Sequence, residues 1–279
     1  MSVSLRCYST SLGCPKNRVD TERLGVALVP VESPDEAELV FINTCAFIQP
    51  ATEESVRTIA QAIADIEELP KRPLLAVAGC LVGRYHAEDL APELPEVDLW
   101  LDNSDLEAWP AMLARKLGLP EPTVPGRILS TGPSYAWLKI SDGCRHACSF
   151  CAIPNIRGGH RSHCKDMIVR EARALLDQGV KELNLVAQDL TEWGCDLDGK
   201  QDLRTLLDGL LPLQGLERLR LMYLYPAGMT HEMLKYLREA GKPFVPYFDV
   251  PVQHSHPDVL SRMGRPFARN PREAIDRIR

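Results

Sequence analysis

Runs of apolar residues alternate with segments of helical period through the first part of the chain. Leu39-Val40-Phe41-Ile42 and Leu74-Leu75-Ala76-Val77-Ala78 read as strands, by their length and composition. Ala51 to Leu69 between them has the helical period, and a more polar helix is expected from about Ala87. Strand, helix, strand, helix is the rhythm of a parallel sheet with crossover helices. The stretch from Glu22 to Val29 is too short for an ordinary connecting helix between the first two strands.

A second set of strands follows. Ala136-Trp137-Leu138-Lys139-Ile140 reads as a strand, and Glu182 to Ala187, Leu219 to Tyr225 and Tyr247 to Val252 each follow a helix-like segment. This is a β/α barrel pattern, whose working face is built at strand carboxyl ends. Gln188, Asp189, Tyr225, Gln253 and His254 fall there. The last residues, Ile275 to Arg279, lie in an amphipathic helical pattern, so the expected barrel is partial. Between the two sets, residues 118 to 134 hold four prolines and three glycines, a composition that breaks helix and strand alike. We therefore expect an α/β protein with a parallel-sheet domain over residues 1–125 and a partial β/α TIM-like barrel over residues 126–279.

Composition narrows the class. The 279 residues are 45% apolar and 25% charged, an ordinary globular balance. No apolar run reaches 18 residues and the opening residues lack a signal pattern, so the expectation is no membrane and a cytoplasmic protein. A net charge of −6 and a pI near 5.7 argue against broad binding to phosphate backbones. A basic protein partner suits the balance better. Nine cysteines, an odd count, point to metal ligation rather than a disulfide framework.

Three of the nine are packed into Cys144-Arg-His-Ala-Cys148-Ser-Phe-Cys151. Soft thiolates select iron-sulfur clusters or zinc, and clusters that only carry electrons normally take four cysteines. A C-x3-C-x2-C loop leaves a four-iron cluster one ligand short, and an iron without a protein ligand is a reaction site. The alternative is a structural zinc completed by His146, His160 or His163, although such sites favour paired C-x2-C units. Three more cysteines, Cys14, Cys45 and Cys80, each follow a strand-like run or its turn. Strand carboxyl ends of a parallel sheet share one edge, so these thiols are expected to converge despite separations of 31 and 35 residues. A lone cysteine after a strand is otherwise a small buried apolar residue. Cys7 is read as a buried strand residue, and Cys164 and Cys195 as loop or helix residues.

The three-cysteine loop, with Phe150 before its last member, resembles that of the radical S-adenosylmethionine (SAM) enzymes. With Ser-Leu-Gly-Cys14-Pro-Lys-Asn, Asn-Thr-Cys45-Ala-Phe-Ile, Ala-Gly-Cys80-Leu, Lys-Ile-Ser-Asp-Gly-Cys144 and Arg157-Gly-Gly-His-Arg161-Ser, the chain resembles the methylthiotransferases. Arg220-Leu-Met-Tyr-Leu-Tyr-Pro and Phe-Asp249-Val-Pro-Val-Gln-His254 favour the branch that modifies a ribosomal protein over the transfer RNA enzymes.

The resemblance implies a radical SAM methylthiotransferase that adds a methylthio group to the β carbon of an aspartate in ribosomal protein twelve of the small subunit. It implies two 4Fe-4S clusters, one on Cys144, Cys148 and Cys151 and an auxiliary one on Cys14, Cys45 and Cys80. One SAM serves as methyl donor and a second as source of the 5′-deoxyadenosyl radical, so the cofactors carry the chemistry and no side chain is assigned as catalytic. Phe150, Arg157, Arg161 and Gln188 are the expected SAM contacts. Implied partners are the ribosomal protein as substrate, ribosomal RNA nearby, and a flavodoxin or ferredoxin as electron donor. A carboxyl-terminal TRAM domain, usual in the family, is not expected within residues 126–279. The alternatives are a transfer RNA methylthiotransferase and a non-catalytic iron-sulfur electron carrier.

Overall fold

The structure is a computed structural model and describes residues 5–24, 28–120, 127–265 and 271–279. It divides into two compact units, residues 1–130 with 155–157, and residues 131–154 with 158–279. The boundary expected between residues 125 and 126 lies outside the described residues. Among the described residues, no helix is long and apolar enough to cross a membrane.

The first unit is a parallel sheet. Its elements run β1 (Leu5–Ser11), α1 (Pro15–Glu22), β2 (Leu28–Pro30), β3 (Leu39–Thr44), α2 (Gln49–Glu67), β4 (Leu74–Gly79), α3 (Cys80–Tyr85), α4 (Ala87–Leu90), β5 (Leu99–Asp102) and α5 (Trp109–Leu117). The strands lie in the order β2-β1-β3-β4-β5, all parallel. All six residues of β3 are buried, as expected of a central strand covered on both faces. Leu39, Phe41, Ala76, Ala78, Leu101 and Trp109 form the heart of one core cluster, with the Phe41 and Trp109 rings 6.2 Å apart.

Two expectations change here. A connecting helix does exist between the first two strands, but it is α1, which starts one residue after Cys14 rather than beyond Glu22. Pro15 at its first position is preset for that turn. The helix expected from Ala87 is a single four-residue turn. The described end of the linker is tied down: Arg127 pairs with buried Glu22 at 2.7 Å, and the Ser130 backbone N–H donates to the same carboxylate at 2.9 Å.

The second unit holds β6 (Tyr135–Lys139), β7 (Ser141–Asp142), α6 (Ile153–Arg157), β8 (Arg161–Ser162), α7 (Lys165–Asp177), β9 (Glu182–Val186), α8 (Leu203–Leu210), β10 (Arg218–Leu221), α9 (His231–Ala240), β11 (Phe244–Phe248), α10 (Pro257–Arg262) and α11 (Pro271–Ile278). The last three residues of α6 group with the first unit. Strands β11-β10-β9-β6 form a four-stranded parallel arc, a partial β/α barrel as expected. The amphipathic α7 and α8 bury Ile168, Ala172 and Leu175, and Leu203, Leu206, Leu207 and Leu210. The fourth strand comes earlier than the apolar run suggested, at Phe244–Phe248 rather than 247–252.

Candidate functional site

In the first unit the order β2-β1-β3 makes β1 and β3 the point where the connections diverge to opposite sides. A crevice forms at strand carboxyl ends in such a place. Cys14 is the N-cap of α1 after β1, Cys45 follows β3, and Cys80 opens α3 after β4. Glycine makes the close approach possible. Gly13 has φ +80°, and a Cβ on it would stand 2.6 Å from Cys45 Cβ and 2.7 Å from Cys45 Sγ.

A buried polar scaffold fixes these three turns. The Asn17 side chain, fully buried in α1, donates to the Leu12 and Thr44 carbonyls at 2.9 and 2.8 Å, bridging the turns after β1 and β3. Its Oδ1 accepts from the Cys80 thiol at 3.7 Å and from the Arg157 guanidinium. Thr44 Oγ1 donates to the Ala78 carbonyl and accepts from the Leu81 N–H, linking β3 to the turn before Cys80. Ser55 accepts from the Cys45 N–H at 3.0 Å and donates to the Cys45 carbonyl at 2.7 Å. Asn103 Nδ2 donates to Cys80 Sγ at 3.5 Å.

Arg157, expected at a SAM carboxylate, bonds to side chains of α1. It is 2% exposed and pairs with Asp20 at 3.0 Å as well as with Asn17. A buried cation of this kind persists only with such partners. Burial pushes the Cys45 thiol up, the neighbouring Cys80 and Cys14 push it further, and Arg157 with the Phe47 N–H pulls it back. The three thiols are thus electrostatic neighbours.

In the second unit the three-cysteine loop follows β7. The His146 N–H donates to Cys144 Sγ at 3.4 Å and the Cys151 N–H to the Cys148 carbonyl at 3.0 Å. Burial raises the Cys144 pKa to about 11, with Asp189 and the other two thiols adding to the rise. Cys151 is raised chiefly by burial. Loading any cation on these thiols must therefore expel protons.

The histidines that would have completed a zinc site have other partners. His146 Nε2 lies 2.7 Å from Asp189 and its ring stacks on Tyr225 at 4.0 Å. His163 reaches Asp142, and His160 reaches Ser162 and Asp196. Nor do the sulfurs of either cysteine set all gather within 4.8 Å of one another among the described residues. A tetrahedral zinc at about 2.3 Å from each sulfur would need them about 3.8 Å apart. Neither set is gathered as tightly as a single tetrahedral ion requires.

The remaining expected residues are distributed unevenly. Gln188, just beyond β9, has both amide atoms buried with no hydrogen-bond partner among the described residues. Phe150 is exposed at 44%, and Arg161 sits in β8 paired with Asp142 of β7. Asp189 is buried and accepts from Thr191 N and Oγ1 in addition to its contact with His146. Gln253 and His254 are exposed. Cys7 lies buried in β1, whereas Cys164 and Cys195 are exposed.

Sequence reading missed Asn17, Asp20, Ser55 and Asn103 as supports. Only Asn17 had a local signal, three residues after Cys14. It likewise missed Lys139, buried at the end of β6 with its ammonium 2.8 Å from Asp142.

Comparison with known proteins agrees with this picture. Residues 6–102 match the model of the uncharacterized protein family UPF0004, and residues 138–279 match that of the radical SAM superfamily. A protein of Nitratidesulfovibrio vulgaris named "Ribosomal protein uS12 methylthiotransferase RimO" is 67% identical over 276 residues, covering 98% of this chain and 64% of its own length. A protein of the same name from Aquifex aeolicus is 44% identical, covering 96% of this chain and 61% of its own. The chain thus spans somewhat less than two thirds of the length of these relatives.

Among solved structures, the radical SAM methyltransferase TsrM of Kitasatospora setae, with cobalamin and a [4Fe-4S] cluster bound, superposes with a TM-score of 0.63 at 13% identity. It covers 94% of this chain and 63% of its own, and at that identity shares the fold alone. The resemblance first read from the cysteine motifs is borne out: the chain belongs to the radical SAM superfamily and is similar along nearly its whole length to the RimO methylthiotransferases.

Proposed function

We propose that this chain carries the methylthiotransferase activity of its relatives, adding a methylthio group to the β carbon of an aspartate of ribosomal protein uS12. The observation that carries the reading is the grouping of three cysteines in each unit, Cys14, Cys45 and Cys80 at the strand ends of one and Cys144, Cys148 and Cys151 in one loop of the other. Cys14, Cys45 and Cys80 would hold an auxiliary four-iron cluster on the unit we take as the methylthiotransferase domain. Cys144, Cys148 and Cys151 would hold another on the radical SAM domain. When bound, the clusters and SAM supply electron transfer, the radical, the methyl group and the sulfur.

The chain's own residues position and shield. Asn17, Thr44 and Ser55 tie together the turns that carry the three cysteines. The bonding of Arg157 to Asn17 and Asp20 supports a part in holding the first cysteine set rather than a SAM carboxylate. Gln188 is the best-supported SAM contact, because its amide offers a buried donor and acceptor together. Phe150 and Arg161 are further candidates on the rim of the same unit. His146, clasped by Asp189 and covered by Tyr225, fixes the loop and keeps water from its inner side. The same reading carries a flavodoxin or ferredoxin as electron donor, ribosomal RNA beside the docked substrate, and a cytoplasmic site of action.

The test is anaerobic reconstitution followed by iron and sulfide counting, then incubation with SAM, dithionite and uS12. About eight irons, as two four-iron clusters require, together with 5′-deoxyadenosine release and a uS12 mass gain of one methylthio group, is the expected result. About four irons without nucleoside release, or modification of transfer RNA instead of uS12, overturns it.

A further inference from the structure

The residues that follow α10 are built onto the three-cysteine loop. The helix ends in a double closure: the Gly264 N–H donates to the Ser261 carbonyl at 3.0 Å and the Arg265 N–H to the Leu260 carbonyl at 3.0 Å. That is the Schellman pattern, with Gly264 at φ +70° in the position that favours glycine. The carbonyls of this helix end face the loop. The Ser149 N–H donates to the Met263 carbonyl at 3.2 Å, and Ser149 Oγ to the Arg262 carbonyl at 2.9 Å. A Cβ on Gly264 would meet the Ala147 carbonyl at 3.1 Å, so the two backbones are already in contact.

Arg265 is the outcome of this geometry. Only 6% exposed, it directs one guanidinium N–H to Cys148 Sγ at 3.5 Å and another to the Pro251 carbonyl. Its guanidinium carbon stands 4.5 Å from the centroid of the Tyr225 ring, which also stacks on His146. Arg265 also lowers the Cys151 thiol. A permanently charged, planar donor is held against the sulfur of one cluster ligand, and none of the cysteine motifs includes it.

We propose that Arg265 tunes the reduction potential of the cluster held by Cys144, Cys148 and Cys151, a proposal that rests on the reading given under Proposed function. Hydrogen bonds to ligand sulfurs and nearby positive charge stabilise the more negative, reduced state and raise the potential. Burial strengthens the effect, because water does not screen the guanidinium there. Arg265 therefore makes the cluster easier to reduce by a physiological donor, and its loss leaves the ligands in place while moving the potential negative.

The experiment uses the full chain with Cys14, Cys45 and Cys80 replaced by Ala, so that a single cluster is observed. Its midpoint is measured by potentiometric titration of the paramagnetic reduced signal, with iron counted in the same samples. In this background Arg265→Met is expected to retain four irons, as a four-iron cluster requires. Its equilibrium constant for one-electron reduction is expected to fall about tenfold, a shift of about 59 mV. Arg265→Lys, which keeps the charge and loses the fork, is expected to fall between the two. Equal midpoints in all three chains overturn the proposal. Failure of both variants to hold iron also overturns it, in favour of a purely structural clasp. Failure of the Arg265 parent to hold iron overturns the cluster reading beneath it.

Discussion

The two sets of three cysteines are brought together by opposite routes. In the first unit the thiols are 31 and 35 residues apart in sequence, and they meet only because β1, β3 and β4 end on one edge of a parallel sheet. In the second unit three thiols occupy eight consecutive residues, and the loop itself sets most of their geometry. The first set is a property of topology and the second of local sequence. The supports differ accordingly. Buried side chains from several elements, Asn17, Asp20, Ser55, Asn103 and Arg157, hold the first set, whereas backbone contacts from one segment and the His146–Asp189 pair hold the second.

The largest effect expected from this contrast comes from removing a ligand on either side. Cys45→Ala and Cys148→Ala should each lower the iron content from about eight to about four, the size of one cluster. Cys148→Ala should abolish SAM cleavage, and Cys45→Ala should spare cleavage while stopping sulfur transfer. Loss of all iron from either variant would mean that the sets do not load independently.

Supports come next, and here the two units should part. Asn17→Ala strips hydrogen bonds from the part-buried Leu12 and the buried Thr44 carbonyls, at up to about 1–3 kcal/mol for each unsatisfied group. Arg157→Met removes a cation paired with buried Asp20, and breaking a buried pair costs about 3–5 kcal/mol. Both should lower the thermal midpoint and halve the iron, with the second cluster retained. In the second unit His146→Ala removes a side-chain contact but not the backbone clasp, so we expect a destabilisation of about 1 kcal/mol and full iron. Iron counting with thermal unfolding of the three variants checks this order. If His146→Ala loses as much iron as Asn17→Ala, local sequence is not what holds the second set.

The same contrast explains what could be read from the chain. The second set was visible as three cysteines in one short loop. The first set was visible only as three strand ends, and the strand order 2-1-3-4-5 that brings them together is not written in any one of them. Strand positions in the first sheet were legible because β3 and β4 are continuous apolar runs. The edges of β10 and β11 were not, because Met222 to Tyr225 and Val250 to Val252 continue the apolar pattern past the last strand residues. α1 went unseen because its eight residues carry no apolar stripe, and four of its five buried members are polar. The partners of Arg157 were hidden for a related reason. Its neighbours in sequence belong to the second cysteine loop, while its partners Asn17 and Asp20 lie 140 and 137 residues away. Nothing local to Arg265 marked it either, since its contact with Cys148 spans 117 residues.

The smallest effect concerns a thiol that neither set uses. Cys7, in the middle of β1, is 3% exposed, and burial pushes its pKa from the ordinary 9.0 up to about 12. A folded-state pKa raised above the unfolded value means that the neutral thiol stabilises the fold. That contribution is complete below pH 9.0, where both states are protonated, and drains as the pH climbs towards about 12, where the unfolded chain ionises first. Replacing Cys7 with Ala removes the titrating group and a little buried volume. The variant should therefore be slightly less stable at about pH 7, by about 1 kcal/mol, and should lose less stability than the parent between about pH 7 and about pH 10. Denaturant unfolding at both values checks the slope, and parallel losses would show that the thiol is hydrated in the folded state. Alkylation of the folded protein gives the converse readout. Cys164 and Cys195, both exposed, should react first, and Cys7 only after unfolding, because the thiolate is the nucleophile and burial suppresses it. Prompt modification of Cys7 in the folded chain would show that the β1 edge opens, and with it the strand end that carries Cys14.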